Sequence, residues 1–238
     1  MTKHGKNYTA ALAKIDRDQM YMPEDAIKLV KETAYVKFDS TIEVHLRLGI
    51  DPRHADQNIR TTVALPHGTG KVVRVLVFAQ GEAATAAQGA GADFVGSDEL
   101  ITRIDKENFF DFDVAIATPD MMGKVGRIGR KLGPRGLMPN PKSGTIVPGE
   151  ELARTISQVR GGRVEFRNDK TGLLHVAVGK VSFSEQQIYE NIAALFDVIK
   201  AAKPSATKGV FIKSVTFTST MAPGVPVDIA AAQSMKAA

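Results

Sequence analysis

The sequence predicts a mixed α/β chain of two domains, an α+β domain built from both termini and interrupted by an inserted α/β domain. Three observations carry this. Residues 42–50 alternate apolar Ile42, Val44, Leu46, Leu48 and Ile50 with Glu43, His45 and Arg47, the period-two signature of a strand with one wet face. Residues 72–117 instead run strand, helix, strand, helix, strand, the rhythm of a small parallel sheet. Antiparallel texture returns after residue 160, and PHGTG (66–70) and RGG (160–162) are natural paired hinges. The expected limits are residues 1–67 with 160–238 for the first domain and 68–159 for the insertion.

Taken in order, residues 7–33 read as helical. Leu12 and Ile15 mark one segment; Pro23 at a first-turn position, with Glu24 and Asp25 behind it, opens another whose buried pair is Ile27 and Val30. The long strand to Ile50 follows. In the insertion, VVRVLVF (72–78) is a buried strand, residues 81–90 a Gly/Ala-rich helix, Phe94 and Val95 a short strand, residues 100–106 a helix and residues 114–117 a further strand. Leu152, Ile156 and Val159 mark another helix. Residues 164–167 and 173–178 flank NDKTG, whose Asn168, Asp169 and Gly172 supply hairpin turn chemistry. Ser184 and Gln187 form a capping box that opens a helix carrying Ile188, Ile192, Leu195 and Ile199 until Pro204. A last strand, 210–220, ends at PGVP.

Between Met121 and Gly144 lie six Lys/Arg, six Gly and three Pro with no Asp or Glu. Pro134, Pro139 and Pro141 remove backbone donors and the glycines relax the chain, so an ordered cationic surface loop is expected there. With a sequence pI near 9.3, the first polyanion to consider is nucleic acid. The net charge of +5, 31 basic against 26 acidic side chains, is too small for histone-like binding, so affinity must come from clustering and geometry. With 43% hydrophobic residues, 238 residues suffice for ordinary cores. Zero Cys excludes disulfides, thiolate zinc sites and cysteine nucleophiles. No apolar h-region and no membrane-length apolar run is present, which makes a soluble cytoplasmic protein the expectation.

Other chemistries fit less well. Neither GxGxxG nor GxxxxGK[ST] occurs; Gly89-Ala-Gly91 lacks the third glycine, and Gly68-Thr-Gly70-Lys71 precedes its strand. His4, His45, His54, His67 and His175 show no HxxxH or HExxH spacing, which argues against a metal site. Asp111 and Asp113 precede a strand where α/β enzymes place carboxylates, but no motif adds a nucleophile and an oxyanion donor, so a structural role is favoured. A small α/β enzyme or nucleotide-binding protein using the insertion is the rival reading.

LGPRGLMPNPK (132–142), with VGRIGRK just before it, closely resembles the signature of the ribosomal protein L-one family, the universal large-subunit protein of the mobile side stalk. KFDSTIEVHLRLGIDP (37–52), DQNIRTTVALPHGTGK (56–71), GADFVG (91–96), FDVAIATPDMMGKVG (112–126), GRVEFRNDKTG (162–172) and TSTM (218–221) are similar to bacterial members. The resemblance covers nearly the whole chain and implies a split α+β sandwich first domain with an inserted Rossmann-like three-layer α/β domain. It further implies direct binding of 23S rRNA at the stalk, assistance to deacylated tRNA leaving the E site, repression through the mRNA of its own operon, and membership of the large ribosomal subunit. No catalytic activity, cofactor, metal or membrane partner is implied, and the free protein is expected to be a monomer.

Carried onto this chain, the resemblance assigns rRNA binding to Lys37, Phe38 and Thr41 at the first strand; to Glu165, Arg167, Asp169, Lys170, Thr171 and Gly172 around the hairpin; and to Ser219, Thr220 and Met221 at the last strand. Hydroxyl side chains suit A-form RNA, which is read by shape, phosphates and ribose 2′-hydroxyls. Thr216, Thr218 and Thr220 share one strand face; Arg167 and Lys170 suit phosphates, and Phe38 and Met221 offer apolar contact. Arg130, Lys131 and Arg135 of the basic segment are expected to make secondary RNA contacts. Most members follow the TM pair with Gly-Pro, whereas this chain has Ala222-Pro223.

Overall fold

The computed structural model describes residues 4–207 and 209–236; residues 1–3, 208, 237 and 238, which fall within the expected first domain, lie outside the described residues. In chain order the elements are α1 Lys6–Leu12, α2 Pro23–Glu32, β1 Thr41–Leu48, β2 Arg60–Ala64, β3 Val75–Phe78, α3 Glu82–Gly89, β4 Phe94–Gly96, α4 Asp98–Glu107 and β5 Val114–Ala117. There follow single-turn helices α5 Met122–Val125 and α6 Gly129–Leu132, then α7 Leu152–Arg160, β6 Arg163–Arg167, β7 Leu173–Lys180, α8 Glu185–Ala201, β8 Ile212–Ser219, β9 Val225–Val227 and α9 Ile229–Ser234. The chain is a mixed α/β protein of two compact units, one reaching to Gly70 and resuming at Val164, the other Lys71–Arg163. These crossings fall a few residues beyond the expected 67/68 and 159/160. Asn191 of α8 holds the Gly68 carbonyl in the first unit, while Arg160 pairs with Asp93 and Arg163 donates to the Ser143 carbonyl within the second.

In the first unit a four-stranded sheet has the order β7-β1-β8-β9, with β1 antiparallel to both neighbours. Alternation gives the sheet two unlike faces. Ile42, Val44, Leu46, Leu48, Leu174, Val176, Val178, Val215 and Phe217 are buried in one cluster with Ile27 and Val30 of α2 and Ile188, Ile192, Leu195, Phe196 and Ile199 of α8. The Ser184/Gln187 capping box opens α8 as the sequence predicts. Buried Asn191 on α8 donates to the Gly68 and Val178 carbonyls at 2.9 and 2.7 Å and accepts from the His67 amide at 3.0 Å, fixing the segment that leaves this unit.

The second unit has a three-stranded parallel sheet of order β4-β3-β5. Val75, Val77 and Ile116 pack with Ala87 of α3 and with α7. Leu76, Phe78, Ala115 and Ala117 pack with Leu100 and Ile104 of α4 and with Met121, Val125, Ile128 and Leu132. These last four residues correct the expectation of a surface loop for the basic segment. Their spacing is helical, so its first half folds into successive helical turns that bury one apolar face while its cations face outward.

Other boundaries also differ from the sequence reading. The first of the two helical segments ends at Leu12, leaving Ile15 beyond α1, and Tyr21 bridges Val227 of β9. The final strand stops at Ser219, and the second half of PGVP enters the sheet, because Val225 and Pro226 begin β9, an edge strand in which Pro226 needs no ladder donor on its outer side. β2, with the polar sequence RTTVA, went unread; it pairs with β6 in a separate two-stranded sheet.

Candidate nucleic-acid interface

The sheet's second face carries the polar half of the alternation. Its rungs are set by register: Ala177–Glu43–Thr218, then His175–His45–Thr216, then Leu173–Arg47–Ser214. Their side chains are half-buried to exposed, in contrast to the sealed opposite face. From Thr41 to Arg47 this face runs about 20 Å at strand rise. β1 ends at Leu48 and β7 begins at Leu173, so only the register makes their residues neighbours.

The residues expected to bind RNA gather at the two ends of this face. At one end β1 begins and β8 finishes. The Thr220 amide donates to the Thr41 carbonyl at 3.0 Å, while the Thr220 hydroxyl accepts from the Thr41 amide at 3.2 Å. Lys180 Nζ donates to Thr41 Oγ1 at 2.8 Å. The Ala222 amide closes a turn on the Ser219 carbonyl at 2.9 Å, and its third residue, Met221, has φ 69°. Such a φ costs a non-glycine residue free energy, and Gly or Asn is usual there. Here the turn is fixed from outside, since the Tyr35 hydroxyl donates to the Met221 carbonyl at 2.7 Å. The strained residue presents its thioether to solvent at 68% exposure, beside the same end that carries Phe38 at 58%. Phe38 is therefore not a core aromatic. Asp39 holds the loop behind it, accepting from the amide and hydroxyl of Ser182 at 3.0 and 2.8 Å. Lys37 is exposed, whereas Ser219 is 1% exposed and on the core side of β8, so its hydroxyl is not presented outward.

At the other end lies the tight turn between β6 and β7, which is not the hairpin the sequence predicts, because β6 pairs with β2 while β7 pairs with β1. Asp169 Oδ1 accepts from the amides of Thr171 and Leu173 and from the Thr171 hydroxyl, each at 2.8 Å. The Leu173 amide and then the Thr171 hydroxyl hold its carboxyl below the usual Asp range. Asp169 thus shapes the turn, and Gly172, with φ 79°, completes it. Glu165 is ion-paired with Arg60 Nε at 2.5 Å. Arg167, Lys170 and Thr171 stay exposed, and an open groove beside them is also lined by Arg53, Asn58 and His175.

Between the ends sit two residues that sequence spacing did not single out. His45 and His175 meet across β1 and β7 with their Nδ1 atoms 2.6 Å apart. Burial first, and the second imidazole next, lower the His45 pKa, while Glu43 raises it. His45 was legible as a wet-face residue; its partner, 130 positions away, was not.

The basic segment is engaged within its own unit. Lys124 pairs with Asp98 at 2.7 Å and Lys131 with Asp105 at 3.2 Å, while the Arg135 guanidinium lies 3.7 Å from the Phe110 ring centroid. Arg130 is exposed. Asp113 binds Lys71 Nζ at 2.6 Å and the Arg74 amide at 3.1 Å, a structural use of that carboxylate. The crevice at the carboxyl ends of β3 and β5, where parallel sheets bind nucleotides, is lined by Glu82, Asp120 and Glu150, a poor setting for phosphate. Among the described residues no cluster of three metal-ligating side chains occurs, and no helix is long and apolar enough to cross a membrane.

The profile of the ribosomal protein L1p/L10e family matches residues 30–223. The chain is 76% identical over 237 residues to the large ribosomal subunit protein uL1 of Chloroflexus aurantiacus, covering 100% of both chains. It is 75% identical over 236 residues to that of Chloroflexus aggregans, covering 99% of this chain and 100% of the relative. To that of Thermobifida fusca it is 57% identical over 226 residues, 95% of each.

Proposed function

The chain belongs to the ribosomal protein L1p/L10e family, whose members are structural proteins of the ribosome and not enzymes, and we propose that it binds 23S rRNA of the mobile stalk through the wet face of its first unit. In this reading the first unit is the split sandwich domain and the second the Rossmann-like one, working in the cytoplasm on the large subunit. Met221 carries the proposal. A non-glycine residue held at φ 69° by the Tyr35 hydroxyl, with a largely exposed apolar side chain, suits contact with RNA better than any need of the fold. Phe38, Thr41 and Thr220 surround it; Arg167 and Lys170 take phosphates at the far end, about 20 Å away, so a folded stem and loop rather than a short single strand fits the face.

Asp169, Gly172, Glu165 and Ser219 act by shaping this surface. The same face would take a similar structure in the mRNA of the operon, giving repression by competition. The second unit, through Arg130 with Lys131 and Arg135, would touch tRNA at the E site or stalk RNA. Filter binding of the full chain to a stalk fragment of 23S rRNA tests the assignment. Phe38→Ala with Met221→Ala should cost at least tenfold in affinity, and charge reversal at Arg130, Lys131 and Arg135 should leave it largely intact. The opposite pattern, in folded variants, would move the primary site to the second unit.

A further inference from the structure

The His45–His175 pair has a wiring that the binding reading does not use. The two Nδ1 atoms, 2.6 Å apart, must share a single proton, because two N–H groups cannot face each other at that distance. Glu43 Oε2 stands 3.6 Å from His45 Nε2 and favours a proton on that nitrogen. His45 Nδ1 is then the acceptor, and His175 donates its Nδ1–H to it. This leaves the neutral His175 with a bare lone pair on Nε2, its outward nitrogen.

An anion cannot dock on a lone pair. One proton added at His175 Nε2 turns it into a donor and makes the ring an imidazolium, while the Nδ1–H to His45 and the His45 Nε2–H toward Glu43 both survive. The ring also borders the groove that holds Arg53, Arg167 and Lys170 together with Asp169 and Glu165, and there the three cations outnumber the two carboxylates, one of which Arg60 neutralises. The remaining groups around the pair are Arg47 and Glu43 on β1, Asp169 in the turn between β6 and β7, and the Glu165–Arg60 ion pair; β8 faces it with Thr216 and Ser214, which are neutral. The carboxylates in that set are Glu43, Asp169 and the ion-paired Glu165, and the cations that a docked phosphate would neutralise are Arg53, Arg167 and Lys170.

We propose that His45 and His175 form a phosphodiester site, in which one RNA phosphate accepts from His175 Nε2–H and its docking takes up one proton from solution. The inference rests on the wet face being the RNA-binding surface. The proton balance is simple: the free pair holds two ring protons and the bound pair three, with no other bond made or broken.

The test is the affinity of the full chain for the 23S stalk fragment between pH 8 and pH 6 at fixed salt. The wild-type Kd should fall three- to tenfold over that range, up to about tenfold per pH unit where one proton is fully linked. His175→Gln, which keeps a polar side chain without a titrating nitrogen, should abolish that slope. A wild-type affinity independent of pH, or a slope that persists in His175→Gln, overturns the site while leaving the binding surface standing. Absence of fragment binding at every pH would instead overturn the surface itself.

Discussion

Replacing Met221 by Gly separates what the fold needs from what the ligand needs. The left-handed conformation at φ 69° costs a residue with a Cβ about 1 to 2 kcal/mol. Glycine relieves that strain but adds about 0.5 to 1 kcal/mol of unfolded-state entropy. The variant should therefore unfold in urea with a free energy equal to the parent's or up to about 1.5 kcal/mol higher. Binding should move the other way. Fully burying a Met side chain contributes about 1.5 to 3 kcal/mol, and the 68% exposed in the free protein corresponds to about 1 to 2 kcal/mol if RNA covers it. The Kd for the stalk fragment, read by filter binding, should rise about 5- to 30-fold. Met221→Ala should lose similar affinity without the gain in stability, since Ala keeps the strain. A Gly variant that is less stable by more than about 1 kcal/mol would mean that Met221 packs for the fold. Unchanged affinity in a well-folded Gly variant would remove Met221 from the interface.

Thr220→Val removes the hydroxyl that joins the end of β8 to Thr41, so it should weaken fragment binding by about 1 to 3 kcal/mol and also lower the unfolding free energy by about 1 kcal/mol. Unchanged fragment affinity would remove Thr220 from the site. Asp169→Asn should loosen the turn between β6 and β7, lowering the melting temperature and the affinity together, because the carboxylate organises Thr171 and Leu173 rather than facing RNA. Loss of affinity with an unchanged melting temperature would make it a direct contact instead. Asp93 and Asp169 both have folded pKa values below the ordinary one, the first chiefly through the Val75 amide and the second chiefly through that of Leu173. The unfolded chain then takes up protons at higher pH than the folded chain. Their contribution should be complete above about pH 4 and should be lost as the pH falls below it. Urea midpoints at pH 5 and pH 3 check this, and Asp169→Asn should flatten the difference.

The elements that could be read from the sequence are those whose burial is written into local periodicity. Ile42 to Ile50 alternate because one face of β1 is sealed by α2 and α8, and the α8 start was legible because Ser184 and Gln187 satisfy each other locally. β2 was missed because a two-stranded sheet buries little of RTTVA beyond Val63. The basic segment was misread because Gly and Pro dominate its composition while Met121, Val125, Ile128 and Leu132, spaced for a helix face, carry its packing. Lys131 and Arg135 were legible as cations, but not as partners of Asp105 and Phe110.

By itself the sequence determined the family and the wet face of β1, because motifs and period-two patterning act through neighbours along the chain. Only the tertiary structure decided that Thr41 meets Thr220, that Ser219 points inward, that Tyr35 holds Met221 in a strained turn, and that His45 faces His175. The first and the last depend on strand register between segments far apart in the chain, and the Tyr35–Met221 contact joins residues 186 positions apart. A shift of one residue would turn every side chain to the opposite face, and what fixes that register is the burial of the core side of the sheet rather than any property of the polar residues on the other.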